Sequence, residues 1–203
     1  MIIVSSGLRG KLAVLSRIWC LVVVLALVGC AAREKSATQA AKSAKQPHSL
    51  REFSEEVMKY AKLRQRLASK LPKLPDKATA EQIAAHRKAL ADLMRKERAG
   101  AKQGDIFETD SGLLLVHTIQ QHLDGPEGAE MKAAIRDQAP RSVPLRVNDT
   151  YPDDAPKSLM PPGLLLQLPQ LPKDLEYRFV DRHLILLDVE AGLIVDYTRD
   201  VLH

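Results

Sequence analysis

Leu175-Glu176-Tyr177-Arg178-Phe179-Val180, then Leu184-Ile185-Leu186-Leu187, then Leu193-Ile194-Val195-Asp196-Tyr197 stand close to the end of the 203-residue chain. Their reading decides the fold. In the first segment Leu175, Tyr177 and Phe179 alternate with Glu176 and Arg178, the period of a half-buried strand. The second is a continuous apolar run, which fits a central strand covered on both faces. Ala191-Gly192 allows a tight turn into the third. Together they predict a three-stranded antiparallel meander with a helix packed on one face.

Upstream the period changes to that of helices. Ser49-Leu50-Arg51-Glu52 reads as a capping box, followed by Leu50, Phe53, Val57, Tyr60, Leu63, Leu67 and Leu71 as one apolar stripe. Pro72 and Pro75 end this helix. Thr79 to Gln82 opens a second, with Ile83, Leu90, Leu93 and Met94 on its apolar face. A connection of about seven residues predicts an antiparallel helical hairpin, closed by Gly100 and Gly104. A third helix is expected over Asp110–Leu123, with Leu113, Leu114, Val116, Ile119 and Leu123 as its apolar content. It stops at Asp124-Gly125-Pro126. A fourth runs near Glu127–Gln138 with Met131, Ala134 and Ile135. From Pro140 to Pro172 the chain holds most of its twelve prolines. Val143–Val147 there reads as at best an edge strand, and Pro161-Pro162 as the start of a short helix through Leu164, Leu165, Leu166 and Leu168. The fold class is α+β.

The N-terminus carries a separate signal. Arg9, Lys11 and Arg17 precede an apolar run, and no acidic residue occurs before Glu34. This is the order of a secretory signal. Ile18 to Gly29 is too short for a span, which needs about 20 residues. Leu27-Val28-Gly29-Cys30 resembles a bacterial lipobox. The resemblance implies diacylglycerol on the Cys30 sulfur, cleavage before Cys30, and a lipid-anchored envelope protein. Ala31 stands where an inner-membrane retention signal would place Asp, so the same resemblance implies the outer membrane, facing the periplasm. Residues 31–48 are rich in Ala, Ser, Lys and Gln without a large apolar side chain, the composition of a disordered tether. Its reach is about 60 Å fully extended and about 25 Å as a coil. The expected organisation is a signal over 1–29, lipidated Cys30 and tether over 30–48, helices over 49–139, and a Pro-rich connection with the meander over 140–203. The last two form one domain.

A second resemblance lies at the other end. Pro161-Pro162-Gly163-Leu164, Leu171-Pro172, Tyr177-Arg178-Phe179-Val180, Leu186-Leu187-Asp188-Val189 and Ala191-Gly192-Leu193-Ile194-Val195-Asp196 resemble the end of RcnB-type periplasmic proteins. That family is linked to nickel and cobalt homeostasis and ends in a similar short β-hairpin. The shared positions are those of packing and turns, which carry fold rather than function.

Charge excludes one function class and suggests another. The formal net charge is +5, falling to about +2 without the signal, with the remaining excess in the tether. The domain is nearly neutral, so nucleic-acid binding is not indicated. Residues 49–102 carry 14 basic and 7 acidic side chains, whereas 103–203 carry 9 and 17. Either the halves dock on each other, or the basic hairpin over 49–102 faces anionic lipid or an acidic envelope partner. The only cysteines, Cys20 and Cys30, leave no thiol for a disulfide in the domain.

Candidates for chemistry are few. Asp149, Asp153 and Asp154 cluster in one loop, where oxygen donors could hold calcium, but the glycine and terminal glutamate of an EF-hand are missing. A solvated turn is the plainer reading. His117 and His122 fall about 140° apart around one helix, and His86 fits an interface role beside Ile83 and Leu90. Asp188 and Asp196 sit at strand ends, where Arg178 or Arg199 could pair with them. No nucleophile elbow, P-loop, dinucleotide fingerprint or zinc-protease motif occurs, and no cofactor is implied. The expectation is a non-catalytic envelope adaptor or structural protein. The alternatives are a periplasmic metal-responsive or metal-binding accessory, and a hydrolase with its site in the Asp-rich loop.

Overall fold

A computed structural model describes residues 48–139, 143–156, 158 and 160–203, with the side chains of His48 and Ser49 left out. The expected signal and Cys30, the tether up to residue 47, and the hydroxyl of the Ser49 box lie outside the described residues. No helix of the described residues is long and apolar enough to cross a membrane.

Helix α1 spans His48–Ala68. Its stripe faces inward as periodicity requires: Leu50, Phe53, Val57, Tyr60 and Leu67 are buried, and Leu63 and Leu71 pack against the same core. The helix closes with tight turns, Lys70 N–H to Leu67 O and Leu71 N–H to Ala68 O, because a residue before proline is disfavoured in the helical region. The connection to the next helix is therefore longer than the expected seven residues, covering 69–79.

Helix α2, Ala80–Glu97, starts on the expected capping box. Gln82 N–H donates to Thr79 Oγ1 at 3.3 Å, and Thr79 N–H donates to Gln82 Oε1 at 2.8 Å. Leu90, Ala91 and Met94 are buried, but Ile83 is half exposed. Its periodicity points inward, yet the first turns of α2 extend beyond what the rest of the molecule covers.

Helix α3 spans Asp110–Leu123, capped by Thr109. Its buried line is Gly112, Leu115, Ile119 and Leu123 rather than the one containing Leu113, which is exposed. Gly112 sets that choice: a Cβ there would overlap the main chain of Ile106 and Phe107, so the helix start lies directly on that segment. Ile106 and Phe107 are themselves buried. Helix α4, Gly128–Gln138, buries Ile135 and leaves Ala134 exposed, narrowing its expected face. The short α5, Pro162–Leu165, buries Leu164 and exposes Leu165 and Leu166.

Strands β1 (Leu175–Val180), β2 (His183–Asp188) and β3 (Leu193–Thr198) form the expected antiparallel meander in the order β1-β2-β3. The registers run Leu175↔Asp188 to Val180↔His183 and Leu184↔Thr198 to Asp188↔Leu193. One face, with Leu175, Tyr177, Phe179, Leu184, Leu186, Leu193 and Val195, joins the helical core. Phe53 of α1 bridges the layers, its ring 5.8 Å from Phe107 and 6.3 Å from Tyr177. The other face, with Val180, Ile185, Leu187, Ile194 and Tyr197, is covered by Tyr151, Val143, Leu145 and Val147. The Pro-rich connection is thus the second layer over the sheet. This makes β1 buried on both faces, and Arg178 is buried where alternation predicted a solvated position.

Val143–Val147 does not form the edge strand itself, since Pro144 lacks an N–H. Pairing begins just after it: Asn148 N–H donates to Ile194 O, Ile194 N–H to Asp149 O, and Tyr151 N–H to Gly192 O. Residues 47–203 form one compact unit with its own core.

Candidate functional site

The chemically richest region is a charged seam between the two α-helices of the hairpin and the sheet. Arg64 follows Tyr60 by four residues on α1, so it shares the buried face. Its Nη1 lies 3.0 Å from Asp174 Oδ2, its Nη2 pairs with Glu190, and its Nε lies 3.0 Å from Asp188 Oδ2. The last contact is an ion pair without hydrogen-bond alignment. Asp188 is fully buried. Its Oδ2 accepts from the Tyr60 hydroxyl at 2.8 Å, and its Oδ1 from the N–H groups of Glu190 and Ala191 at 3.1 and 2.9 Å. Burial opposes the Arg64 cation, but Asp188, Glu190 and Asp174 more than offset it and raise its pKa. Burial, reinforced by Asp188, pushes the Tyr60 hydroxyl well above its ordinary range. Tyr60 therefore stays protonated and donating.

Helix α2 supplies the next row. Arg95 Nε donates to Asn148 O at 3.0 Å and Nη2 to Thr150 Oγ1 at 2.6 Å. Arg98 Nη1 donates to Asn148 Oδ1 at 2.7 Å and Nη2 to Val195 O at 2.9 Å, with its guanidinium 4.9 Å from the Tyr60 ring centre. Asn148 Nδ2 answers by donating to Arg98 O at 2.8 Å. Arg87 pairs with Asp153 at 2.5 Å and lies over Gly192, whose φ of +65° and lack of a Cβ make room for it.

These contacts decide the Asp-rich loop. Asp153 faces Arg87, Asp149 Oδ2 lies 3.9 Å from Arg146, and Asp154 is exposed. Among the described residues no group of three or more His, Cys, Asp or Glu is placed to hold a metal ion, so Asp149, Asp153 and Asp154 do not form a ligand set. Two of the three loop carboxylates, Asp153 and Asp149, lie toward arginines.

Asp188 and Asp196 also differ from the expected pairing. Arg178 binds Glu176, and Arg199 Nη2 lies 3.4 Å from the Tyr197 hydroxyl. Asp196 receives four backbone N–H groups: Gly104 and Tyr197 on Oδ1, both at 2.8 Å, with Ile106 at 2.8 Å and Phe107 at 3.0 Å on Oδ2. A register shift beside it, pairing Leu186 with Asp196 and Leu187 with Ile194, gives β3 an extra residue and re-aims the side chain toward that segment. Burial nevertheless raises the Asp196 pKa, against the pull of these donors. Such a cradle cannot be read from local sequence, because three of its four donors come from a segment some ninety residues away.

The histidines do not converge. His117 lies 3.0 Å from Gln121, His122 Nδ1 2.9 Å from Thr118 O, and His86 4.0 Å from Glu190. The hydroxyls of Ser69, Ser111 and Ser158 meet Arg66 O, Thr109 and Phe179 O rather than a histidine. An open cleft of about 340 Å³ is lined by Arg136, Arg182, Asp181, Asp200, Leu202 and His203. Both of its arginines are engaged, Arg182 with Asp200 at 2.5 Å and Arg136 with His203 O at 2.8 Å.

Fold and seam together define a class, a small α+β unit whose buried charges hold helices to sheet. No family model, curated protein or solved structure matches the chain.

Proposed function

We propose that this is a lipid-anchored bacterial envelope protein with a non-catalytic adaptor or structural role at a membrane surface, most simply the periplasmic face of the outer membrane. The observation that carries the reading is Leu27-Val28-Gly29-Cys30, placed after a basic and then an apolar segment. Acyl chains on Cys30, at about 0.8 kcal/mol per buried methylene, would hold the domain at the bilayer. The adaptor role is supported by how the described polar residues are used. Arg64 and Arg87 are engaged with carboxylates and Arg95 and Arg98 with Asn148, Thr150 and Val195 O, and no nucleophile–base pair is assembled from Ser69, Ser111 or Ser158. The metal-accessory alternative rests on the C-terminal resemblance, with no described ligand set behind it.

Intact-mass measurement of membrane-extracted protein, beside a Cys30→Ser variant, tests the anchor. The expected mass is the chain from Cys30 plus acyl chains, with the addition lost in the variant. An unmodified chain released to the soluble fraction would overturn the reading.

A further inference from the structure

The positive charge of residues 49–102 divides into two sets. Arg64, Arg87 and Arg98 point inward to partners in the C-terminal half, and Arg95 joins them. Arg51, Lys59 and Lys88 form local helix pairs with Glu55, Glu56 and Asp92. What remains is concentrated at one end of the hairpin. Lys62, Arg66, Lys70, Lys73 and Lys77 are all exposed, and among the described ion pairs none involves them. Lys62, Arg66 and Lys70 follow at intervals of four over about 12 Å of helix and its last turn. Lys73 and Lys77 flank Leu74, an exposed apolar side chain in the connection between α1 and α2. Asp76 and Glu81 are the carboxylates of this stretch.

We propose that this hairpin tip, Lys62 to Lys77, rests on the anionic headgroups of a phospholipid bilayer, an inference that builds on the reading of the protein as held at a membrane. The residue types favour lipid over an acidic protein. A fixed acidic partner is matched best by the planar fork of a guanidinium, and this molecule meets its own carboxylates across the seam with arginines, at Arg64 and Arg87. Four of the five tip cations are lysines, whose hydrated point charges suit a laterally mobile anionic surface without desolvation. Their long stems can lie along the interface beside Leu74 while the ammonium groups remain in water. Each basic side chain near an anionic leaflet strengthens binding about five-fold.

The test uses residues 47–203, the compact unit with its own core, so that it is independent of Cys30. Its circular dichroism and urea midpoint are recorded first for every variant. Binding is measured by co-sedimentation with phosphatidylglycerol–phosphatidylcholine vesicles and with pure phosphatidylcholine vesicles. Expected is binding to the anionic vesicles alone, lost at about 1 M salt, where the screening length falls to about 3 Å. Lys70→Gln/Lys73→Gln/Lys77→Gln should weaken it roughly 100-fold. Lys96→Gln/Lys102→Gln/Arg146→Gln, which removes three exposed charges outside the tip, Lys96 in the last turn of α2 and the others after it in the chain, should leave it within about three-fold. Equal loss in both variants, equal binding to neutral vesicles, or no binding at low salt would overturn the proposal. So would a tip that binds an acidic protein while ignoring the vesicles. If the vesicles bind but the mass measurement finds no acyl chain, the lipid contact stands and the anchor falls.

Discussion

Asp196 and Asp188 meet burial in two ways: one with four aligned backbone N–H groups, the other with a tyrosine hydroxyl, turn amides and an arginine. His183 meets it by staying neutral. The Asp200 N–H donates to its Nδ1 at 3.1 Å, which requires that nitrogen to be unprotonated. Burial lowers its pKa, with Arg199 and Arg182 acting in the same direction and Asp200 and Asp181 against. A histidine whose folded-state pKa is depressed contributes stability that is fully present above about 6.5 and is lost as pH falls through the lower folded value. The urea midpoint should therefore drop between pH 7 and 5, and His183→Asn should make that decline shallower. Parallel pH profiles for the two proteins would show that His183 has no part in it.

Among the elements, α2 was the most legible in its start and the least in its face. Thr79 and Gln82 announce the cap because both partners lie within one turn, and Thr79→Ala should destabilise by about 1 kcal/mol. Ile83 belongs to the same periodic pattern yet is 50% exposed, so Ile83→Glu should change stability by less than about 0.5 kcal/mol. Urea unfolding of both variants checks the pair, and a loss above about 1.5 kcal/mol for Ile83→Glu would place that turn against a core. In α3 the apolar residues occur in a run from Leu113 to Val116, so periodicity alone could not choose the buried line. The close approach of Ile106 and Phe107 to Gly112 chose it. The strands were legible in order and spacing, whereas the Pro-rich layer that buries Arg178 was not, because proline patterns report local backbone and not what it covers.

For the molecule as a whole, the opposite charges of the two halves serve first to join them, through Arg64 and Arg87, while Arg98 adds neutral hydrogen bonds to Asn148 and Val195 O. Arg64 carries the most. Arg64→Ala should destabilise by about 3–5 kcal/mol, since Asp188 would stay buried without its cation. Arg51→Ala, which removes an exposed pair with Glu55, should change stability by about 0.3–0.5 kcal/mol. Chemical denaturation distinguishes them, and similar small values would mean that Asp188 is held by Tyr60 and the turn amides alone. The candidate site was legible only in part. The charge asymmetry is visible in the sequence and allows docking as one of two readings, but nothing in local spacing marks Arg64 or the cradle of Asp196. By itself the sequence determined the α+β class, the Thr79–Gln82 cap of α2 and the three-strand order, because periodicity, caps and turns act between residues a few positions apart. Only the tertiary structure decided which charges are buried together, which helix face is covered and which lysines remain free. Those outcomes depend on surfaces brought together from opposite ends of the chain, and local spacing contains no record of them.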